Sequence, residues 1–486
     1  MDRRSFLRLA SAAFGSAALT PLLGACSGDD RDRTAESALS VPGLLDGAAS
    51  DAPIDTVVIV MLENRSFDHH LGWLGDDSAY IAAGRRAYGH GFNITAKQVQ
   101  QYRKPDGRHE STYHLPSTGG PAGGYRGCDY RIPGHGWDTG RAQRDNGFLG
   151  RGTHNDTFAI GYYDDTDVAF YASLARRFTV ADHHFSSLMG PTFPNRQYLH
   201  SATSQGDKSD PKHMDAGMYS HETIWDRLQA ASVNARYYYV DTPWLALWGN
   251  RLFDRISPID DYFADAAAGT LPNVVMVDPA FQGPDRADDH PHGDIRIGQR
   301  FVQSVFGALA NSPQWSRSVF VLTYDEWGGF FDHVEPPVVP DHRESDDDDE
   351  NFGQTGFRVP TIVASPYVRR GYVDPAVYDH TSILRFLEWR FLGAPAHGTA
   401  APNGKWYLTK RDRFANNLGG SLVTTADGEL DFDASAVLAA PTGGCPPPEK
   451  RANEGEAGPG DVPQTDAFKE LTGTTFGPAT ETPWLN

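Results

Sequence analysis

Two short runs constrain the fold most. Thr56–Met61 reads TVVIVM and Ser318–Thr323 reads SVFVLT; polar pairs follow each, Glu63-Asn64 after the first and Asp325-Glu326 after the second. A β-branched run without polar alternation suits a strand covered on both faces, as in a parallel sheet between helices. Asn273–Val277 and Val359–Ala364 repeat the pattern. Between these runs, Val168–Arg177, Ile295–Leu309 and Thr381–Phe391 carry apolar residues at three- and four-residue spacing, the mark of helices. The alternation predicts an α/β sandwich with a mostly parallel central sheet. In open α/β sheets, ligands bind beyond the carboxyl ends of the strands. Glu63, Asn64, Asp325 and Glu326 fall there, and two strands ending in adjacent oxygen ligands can hold one cation between them. Segments 88–160 and 205–265 read as long loops that cap the sheet edge.

Composition narrows the partners. The 486 residues carry a formal net charge of -20. That excludes nucleic acid, whose affinity comes from Lys and Arg neutralising phosphates. It does not exclude an anionic substrate, because a bound cation inverts the local field of an acidic site. The first 25 residues read as a targeting segment. Arg3-Arg4-Ser5-Phe6-Leu7 resembles a twin-arginine export signal, a short Ala-rich stretch follows, and Leu23-Gly24-Ala25-Cys26 resembles a lipoprotein cleavage site with Cys26 as the lipidated residue. The expected protein is exported by the twin-arginine machinery and held by a lipid anchor in the periplasm or at the cell surface. Residues 26–50 are expected to be a flexible tether, 51–440 the catalytic domain and 441–486 an irregular, Pro/Gly/Glu-rich tail. Cys128 and Cys445 are either a disulfide or two separate thiols. The acidic run Asp346–Glu350 reads as a solvated loop in preference to a calcium site.

Several polar stretches carry chemistry. Met189–Arg196 (MGPTFPNR) frames Thr192 between Gly190-Pro191 and Pro194, a rigid turn that presents a hydroxyl. Pro133–Asp138 (PGHGWD) contributes His135, Asp288–Asp294 (DDHPHGD) contributes His290, and Tyr324–Val334 (YDEWGGFFDHV) contributes Asp325, Glu326 and His333. Each alone suits a structural residue as well as a functional one. Together, and in this order, ENRSFDHHLG, PGHGWD, FTVADHHFSSLMGPTFPNR, DDHPHGDIRIGQ, YDEWGGFFDHV and GFRVPTIVASPYVRRGYV resemble the bacterial phosphoesterase family of non-haemolytic phospholipases C and related acid phosphatases, within the alkaline phosphatase superfamily. The resemblance runs from about Thr56 to Gly393.

The resemblance implies an alkaline-phosphatase-like α/β/α sandwich and a metal-dependent hydrolase of phosphate esters, acting on a small-molecule or phospholipid substrate. It implies Thr192 as the nucleophile, forming a phosphothreonine. One divalent cation, Ca, Mg, Mn or Zn, would be held by Glu63, Asn64, Asp325, Glu326 and the Thr192 oxygen. His135 and His290 would act at the phosphoryl group, and His333 and Arg196 would contact substrate, Arg196 equally suiting a brace for the turn. Asp68, His69, His70, His292 and Asp332 fall outside the first layer of contacts. The rival reading is a phosphomonoesterase of the acid phosphatase type, whose members tend to place Ser at the nucleophile. A sulfatase is excluded because Thr cannot be oxidised to formylglycine. A non-catalytic metal-binding surface lipoprotein is the third reading. Tyr238, Tyr239 and Trp244 read as core residues or, less simply, as a choline cage.

Overall fold

The structure, a computed structural model, describes residues 41–115, 124–128, 130–398, 406–427, 445 and 462–485. The export signal, Cys26 and most of the tether lie outside these residues. The eight strands of the main sheet are β1 (Thr56–Leu62), β2 (Thr179–Ala181), β3 (Ala235–Tyr239), β4 (Ile256–Pro258), β5 (Val274–Val277), β6 (Ser318–Tyr324), β7 (Ile362–Ala364) and β8 (Tyr372–Asp374). Their order across the sheet is β8-β2-β7-β6-β1-β5-β3-β4. The pairs β1–β6, β1–β5, β3–β5, β3–β4 and β2–β8 are parallel; only β7 runs against its two neighbours. All seven residues of β1 and all seven of β6 are buried, so both faces of the sheet centre are covered. The helix Ile295–Ala310 touches both Ala169–Arg177 and Ile259–Ala268, and the helix Thr192–Ser201 touches both Ile224–Ala230 and His380–Leu387. The mixed α/β fold with a large, mostly parallel sheet is therefore as expected, but segment 205–265, expected as a loop, supplies β3, β4 and the helices Ile224–Ala230 and Ile259–Ala268.

Two boundaries differ from the sequence reading. Leu44 and Leu45, placed in the tether, are buried in the main core. In the tail, Asp466–Glu470 is helical, and Phe468 and Trp484 are buried. Both segments carry large apolar side chains that their polar surroundings mask in a compositional reading. Cys128 and Cys445 form a disulfide across a sequence separation of 317 residues. In the acidic run, Asp348 pairs with Arg144 at 2.8 Å and Glu350 with Lys208 at 2.7 Å.

Candidate active site

The parallel register of the two central strands brings their polar ends together. Leu62 lies opposite Tyr324, so Glu63 and Asp325 leave the sheet side by side. The Asp325 amide donates to the Leu62 carbonyl at 3.0 Å, and the Glu63 amide to that of Asp288 at 2.7 Å. Asn64 turns the chain with φ 58°, a left-handed conformation that Asn tolerates better than most residues. Its amide donates to Asp325 Oδ1 at 3.1 Å. Gly328 and Gly329 explain how closely the loops pack. A Cβ on Gly328 would lie 2.1 Å from the Asn64 carbonyl oxygen, and one on Gly329 2.3 Å from that of Gly134. Two glycines thus let the loop after β6 lie against both the Asn64 turn and the His135 loop.

Thr192 enters this cluster from a helix, not from the rigid turn its prolines suggest. It is the first residue of the helix Thr192–Ser201, with Pro191 as N-cap. Pro194 sits in the first turn, where a missing N–H breaks no helical hydrogen bond. The Thr192 hydroxyl donates to Glu63 Oε2 at 3.0 Å. Both residues are fully buried, and the hydroxyl lies where the helix amides give an N-terminus its positive potential. Asn195 holds the approach: its Oδ1 accepts from the Leu188 amide at 2.8 Å, and its Nδ2 donates to the Gly190 carbonyl at 2.8 Å. The sequence reading passed over Asn195, although it lies in the same Pro-Asn-Arg string.

Of the two roles the sequence leaves open for Arg196, its contacts are those of a brace. It is fully buried, with its guanidinium turned to Glu63, Asp278 and the Met61 carbonyl. Its Nε donates to Glu63 Oε1 at 2.7 Å, its other nitrogens to Asp278 at 3.2 Å and to the Met61 carbonyl at 3.1 Å. It braces Glu63 from behind, one helical turn below Thr192. Asp278, also passed over, directly follows β5 and accepts from Tyr237 at 2.5 Å. The signal was present, because this run too ends in a carboxylate. Trp244 packs under the same guanidinium, 5.1 Å from ring centroid to Arg196 Cζ. With Tyr238, Tyr239 and Trp248 it is core, which removes the choline-cage reading of these aromatics.

The two histidines converge on the same end of the sheet. His135 Nδ1 bonds the Pro133 carbonyl at 2.8 Å, and Asn64 Nδ2 approaches its Nε2 at 3.3 Å. The His290 ring lies edge-on to it, with centroids 6.2 Å apart. His290 Nδ1 donates to the Pro291 carbonyl at 2.5 Å, which leaves Nε2 as a buried nitrogen without a hydrogen-bond partner. Burial, and then the neighbouring Arg286 charge, hold its pKa well below the ordinary range, so the ring is neutral. His333 stands elsewhere. Its Nδ1 donates to Asp68 Oδ2 at 2.5 Å, and no described hydrogen bond ties it to Thr192, Glu63 or Asp325.

The residues around Thr192 fit a hard cation. Asn64 Oδ1 and Asp325 Oδ2 are buried oxygens without hydrogen-bond partners, costly to leave bare. Burial and the adjacent Asp325 push the Glu63 pKa well up, against the pull of Arg196, the strain expected of crowded carboxylates awaiting positive charge. Carboxylate, amide and hydroxyl oxygens suit Ca, Mg or Mn better than Cu. Glu326 turns its Oε2 to the Gly328 amide at 2.7 Å. Among the described residues, the groups that bring three acid or histidine ligand atoms within 4.8 Å are Asp68-Asp332-His333 and His114-Asp164-Asp167, not the cluster at Thr192. The first already holds the Arg358 guanidinium, 2.9 Å from Asp68 and 2.8 Å from Asp332. In the second, His114 pairs with Asp167 at 2.5 Å, and Tyr125 donates to the same carboxylate at 2.9 Å.

The Asp-His-His that follows Asn64-Arg65 forms the bracing layer. Arg65 donates to the Asp289 carbonyl at 2.6 Å and lies 3.0 Å from His69 Nε2; His69 Nδ1 in turn bonds Gly161 at 2.6 Å.

A hydroxyl bonded to a buried carboxylate at a helix N-terminus, beside further buried oxygens and two histidines at the end of a parallel sheet, suits the hydrolysis of phosphoric esters. Comparison with known proteins agrees. Residues 54–392 match the Phosphoesterase family, and the chain belongs to it. It is 32% identical over 366 residues to non-specific phospholipase C6 of Arabidopsis thaliana, covering 68% of this chain and 67% of that protein. To the non-hemolytic phospholipase C of Pseudomonas aeruginosa it is 29% identical, covering 85% of this chain but 64% of that protein. Among solved structures, a Vibrio parahaemolyticus protein of the alkaline phosphatase superfamily covers 78% of this chain and is covered over 71% of its own length, with 9% identity and a TM-score of 0.34, too loose an overlap to carry an argument.

Proposed function

We propose that the protein cleaves phospholipid-type phosphodiesters in the manner of a phospholipase C, through a phosphothreonine on Thr192. The observation that carries the reading is the hydrogen bond from Thr192 Oγ1 to Glu63 Oε2. Glu63, Asn64, Asp325, Glu326 and the Thr192 oxygen would hold one divalent cation. When bound, it supplies positive charge against the phosphoryl oxygens and lowers the pKa of the hydroxyl. Thr192 Oγ1 attacks phosphorus in line, and the bond from phosphorus to the leaving alkoxide breaks. Water then attacks phosphorus and releases the threonine. His290 Nε2, its Nδ1–H being held by Pro291, takes up the proton that Thr192 gives up and passes it to the leaving alkoxide, with His135 beside it at the phosphoryl group. Arg196 and Asp278 position Glu63. His333 and Arg358 stay outside the reaction. Threonine at the nucleophile and the phospholipase C names of the relatives favour the diester over the monoester.

Export by the twin-arginine route and lipidation at Cys26 belong to the same proposal. They are supported by the RRSFL and LGAC motifs and by the Cys128–Cys445 disulfide, which suits an oxidising compartment. Incorporation of labelled palmitate, lost in Cys26→Ser, tests the anchor.

The activity test offers purified protein p-nitrophenyl phosphorylcholine and p-nitrophenyl phosphate with added divalent cation. Faster cleavage of the diester, lost at least about 10³-fold in Thr192→Ala, is expected. Faster cleavage of the monoester would move the protein to the phosphatase reading with the same site. Cleavage of neither would refute both.

A further inference from the structure

Beside the nucleophile lies an open cleft of about 820 Å³, within the range that binds small ligands. Its lining includes Gly136 and Trp137, which follow His135, and Pro191, which precedes Thr192. It also includes Lys208, Pro211 and, from the far end of the chain, Val462. Val462 lies beyond residues 54–392, which match the Phosphoesterase family.

The C-terminal segment reaches this cleft by specific bonds. The Met214 amide donates to the Pro463 carbonyl at 2.9 Å, and the Thr465 amide to the Met214 carbonyl at 3.0 Å. The Gln464 amide group donates to Thr242 at 3.3 Å, and the Thr465 hydroxyl to Asp215 at 3.1 Å. Farther on, Trp484 packs edge-on against Phe301 at 5.1 Å. The segment therefore grips the 208–215 loop. That loop returns to the nucleophile: Asp210 accepts from the Phe193 amide at 2.9 Å, next to Thr192. The aromatic ring in the lining, Trp137, is already used by the protein's own cations. The Arg141 guanidinium lies 3.8 Å and the Lys208 ammonium 4.8 Å from the Trp137 centroid.

We infer that the C-terminal segment forms one wall of the substrate cleft and that Val462 sets the size of the group esterified to the phosphate. This rests on the proposed hydrolysis at Thr192 and adds a specificity determinant to it. A substrate bound with phosphorus at Thr192 extends its remaining ester group between Pro191, Pro211 and Val462. Trp137 already faces Arg141 and Lys208, so the apolar residues Pro191, Pro211 and Val462 are the ones that set the fit of this group.

The test compares two esters with the same leaving group, p-nitrophenyl phosphorylcholine and p-nitrophenyl phosphate, in Val462→Trp and Val462→Ala. Filling the cleft in V462W should lower the diester-to-monoester ratio of kcat/KM at least about tenfold, mainly through KM; widening it in V462A should raise the ratio about threefold. A purely structural role moves both esters together. A ratio within about twofold of wild type in both variants, or in V462A alone if V462W fails to fold, overturns the inference. Calorimetric binding of phosphorylcholine to Thr192→Ala, with and without V462W and in divalent-cation buffer, reads the cleft without turnover. Weakening of at least about tenfold supports the wall, and an unchanged Kd overturns it. Wild-type protein that turns over neither ester would refute the proposed hydrolysis instead, leaving calorimetry to decide the cleft.

Discussion

Glu63 is held from two sides, by the Thr192 hydroxyl on one oxygen and by Arg196 on the other. Its orientation therefore depends on a guanidinium that touches no open space. Arg196→Met would strand Glu63 and Asp278 as buried carboxylates without their cation, at a cost of about 3–5 kcal/mol. The expected outcome is a lower denaturation midpoint together with lost activity; an equally stable variant would remove Arg196 from the brace. Asp289 offers a pH test. Burial lifts its pKa to about 7, above the ordinary carboxyl value of about 3.9. The fold thus favours its protonated form, and that contribution is complete below about pH 4 and lost as pH rises through 7. Asp289→Asn can still accept from Tyr324 and Tyr171, which now lie 2.6 and 3.2 Å from its Oδ2. Melts in chelator at pH 4.5 and 7.5 should differ less in the variant than in wild type; an equal difference would show that Asp289 is ionised in the fold.

The central strands and three long helices were legible because each carries a pattern over many residues. The run Thr56–Met61 became β1 with one residue added, and Ile295–Leu309 became Ile295–Ala310. β2, at three residues, is too short to show a period; β7 falls within the expected run Val359–Ala364, but it runs antiparallel for reasons of chain routing that its composition does not record. The helix from Thr192 was hidden by its prolines, which read as a turn although both sit where a helix start accepts them. Gly328 and Gly329 stand in the sequence, but the backbone they must admit, at Asn64 and Gly134, does not show there. Gly328→Ala would place a methyl group against the Asn64 carbonyl and hold alanine at φ 64°. A loss of at least about 1–3 kcal/mol and a drop in activity are expected, since Asn64 must move. Wild-type stability and activity in this variant would show that the two loops are not coupled.

At the scale of the whole molecule, the Cys128–Cys445 bond closes most of the chain into one loop. Cys128→Ser should cost about 2–4 kcal/mol, read as a fall in the denaturation midpoint that reductant reproduces in wild type but not in the variant. Chelation should abolish hydrolysis, and re-addition of a divalent cation should restore it; activity that survives exhaustive chelation would count against the cation at Glu63 and Asp325. The sequence by itself determined the parallel core and the polar ends of its strands, together with the string containing Thr192. These follow from local periodicity and from residue types that few other roles explain. Only the tertiary structure decided that Arg196 faces Glu63, that His333 belongs with Asp68 and Arg358, that Cys128 bonds Cys445, and that Val462 lines the cleft beside Thr192. Apart from His333 and Arg358, these join residues at least 133 positions apart in the chain, 265 in the case of His333 and Asp68. Contacts at that distance are set by how the layers pack, and local pattern carries no record of them.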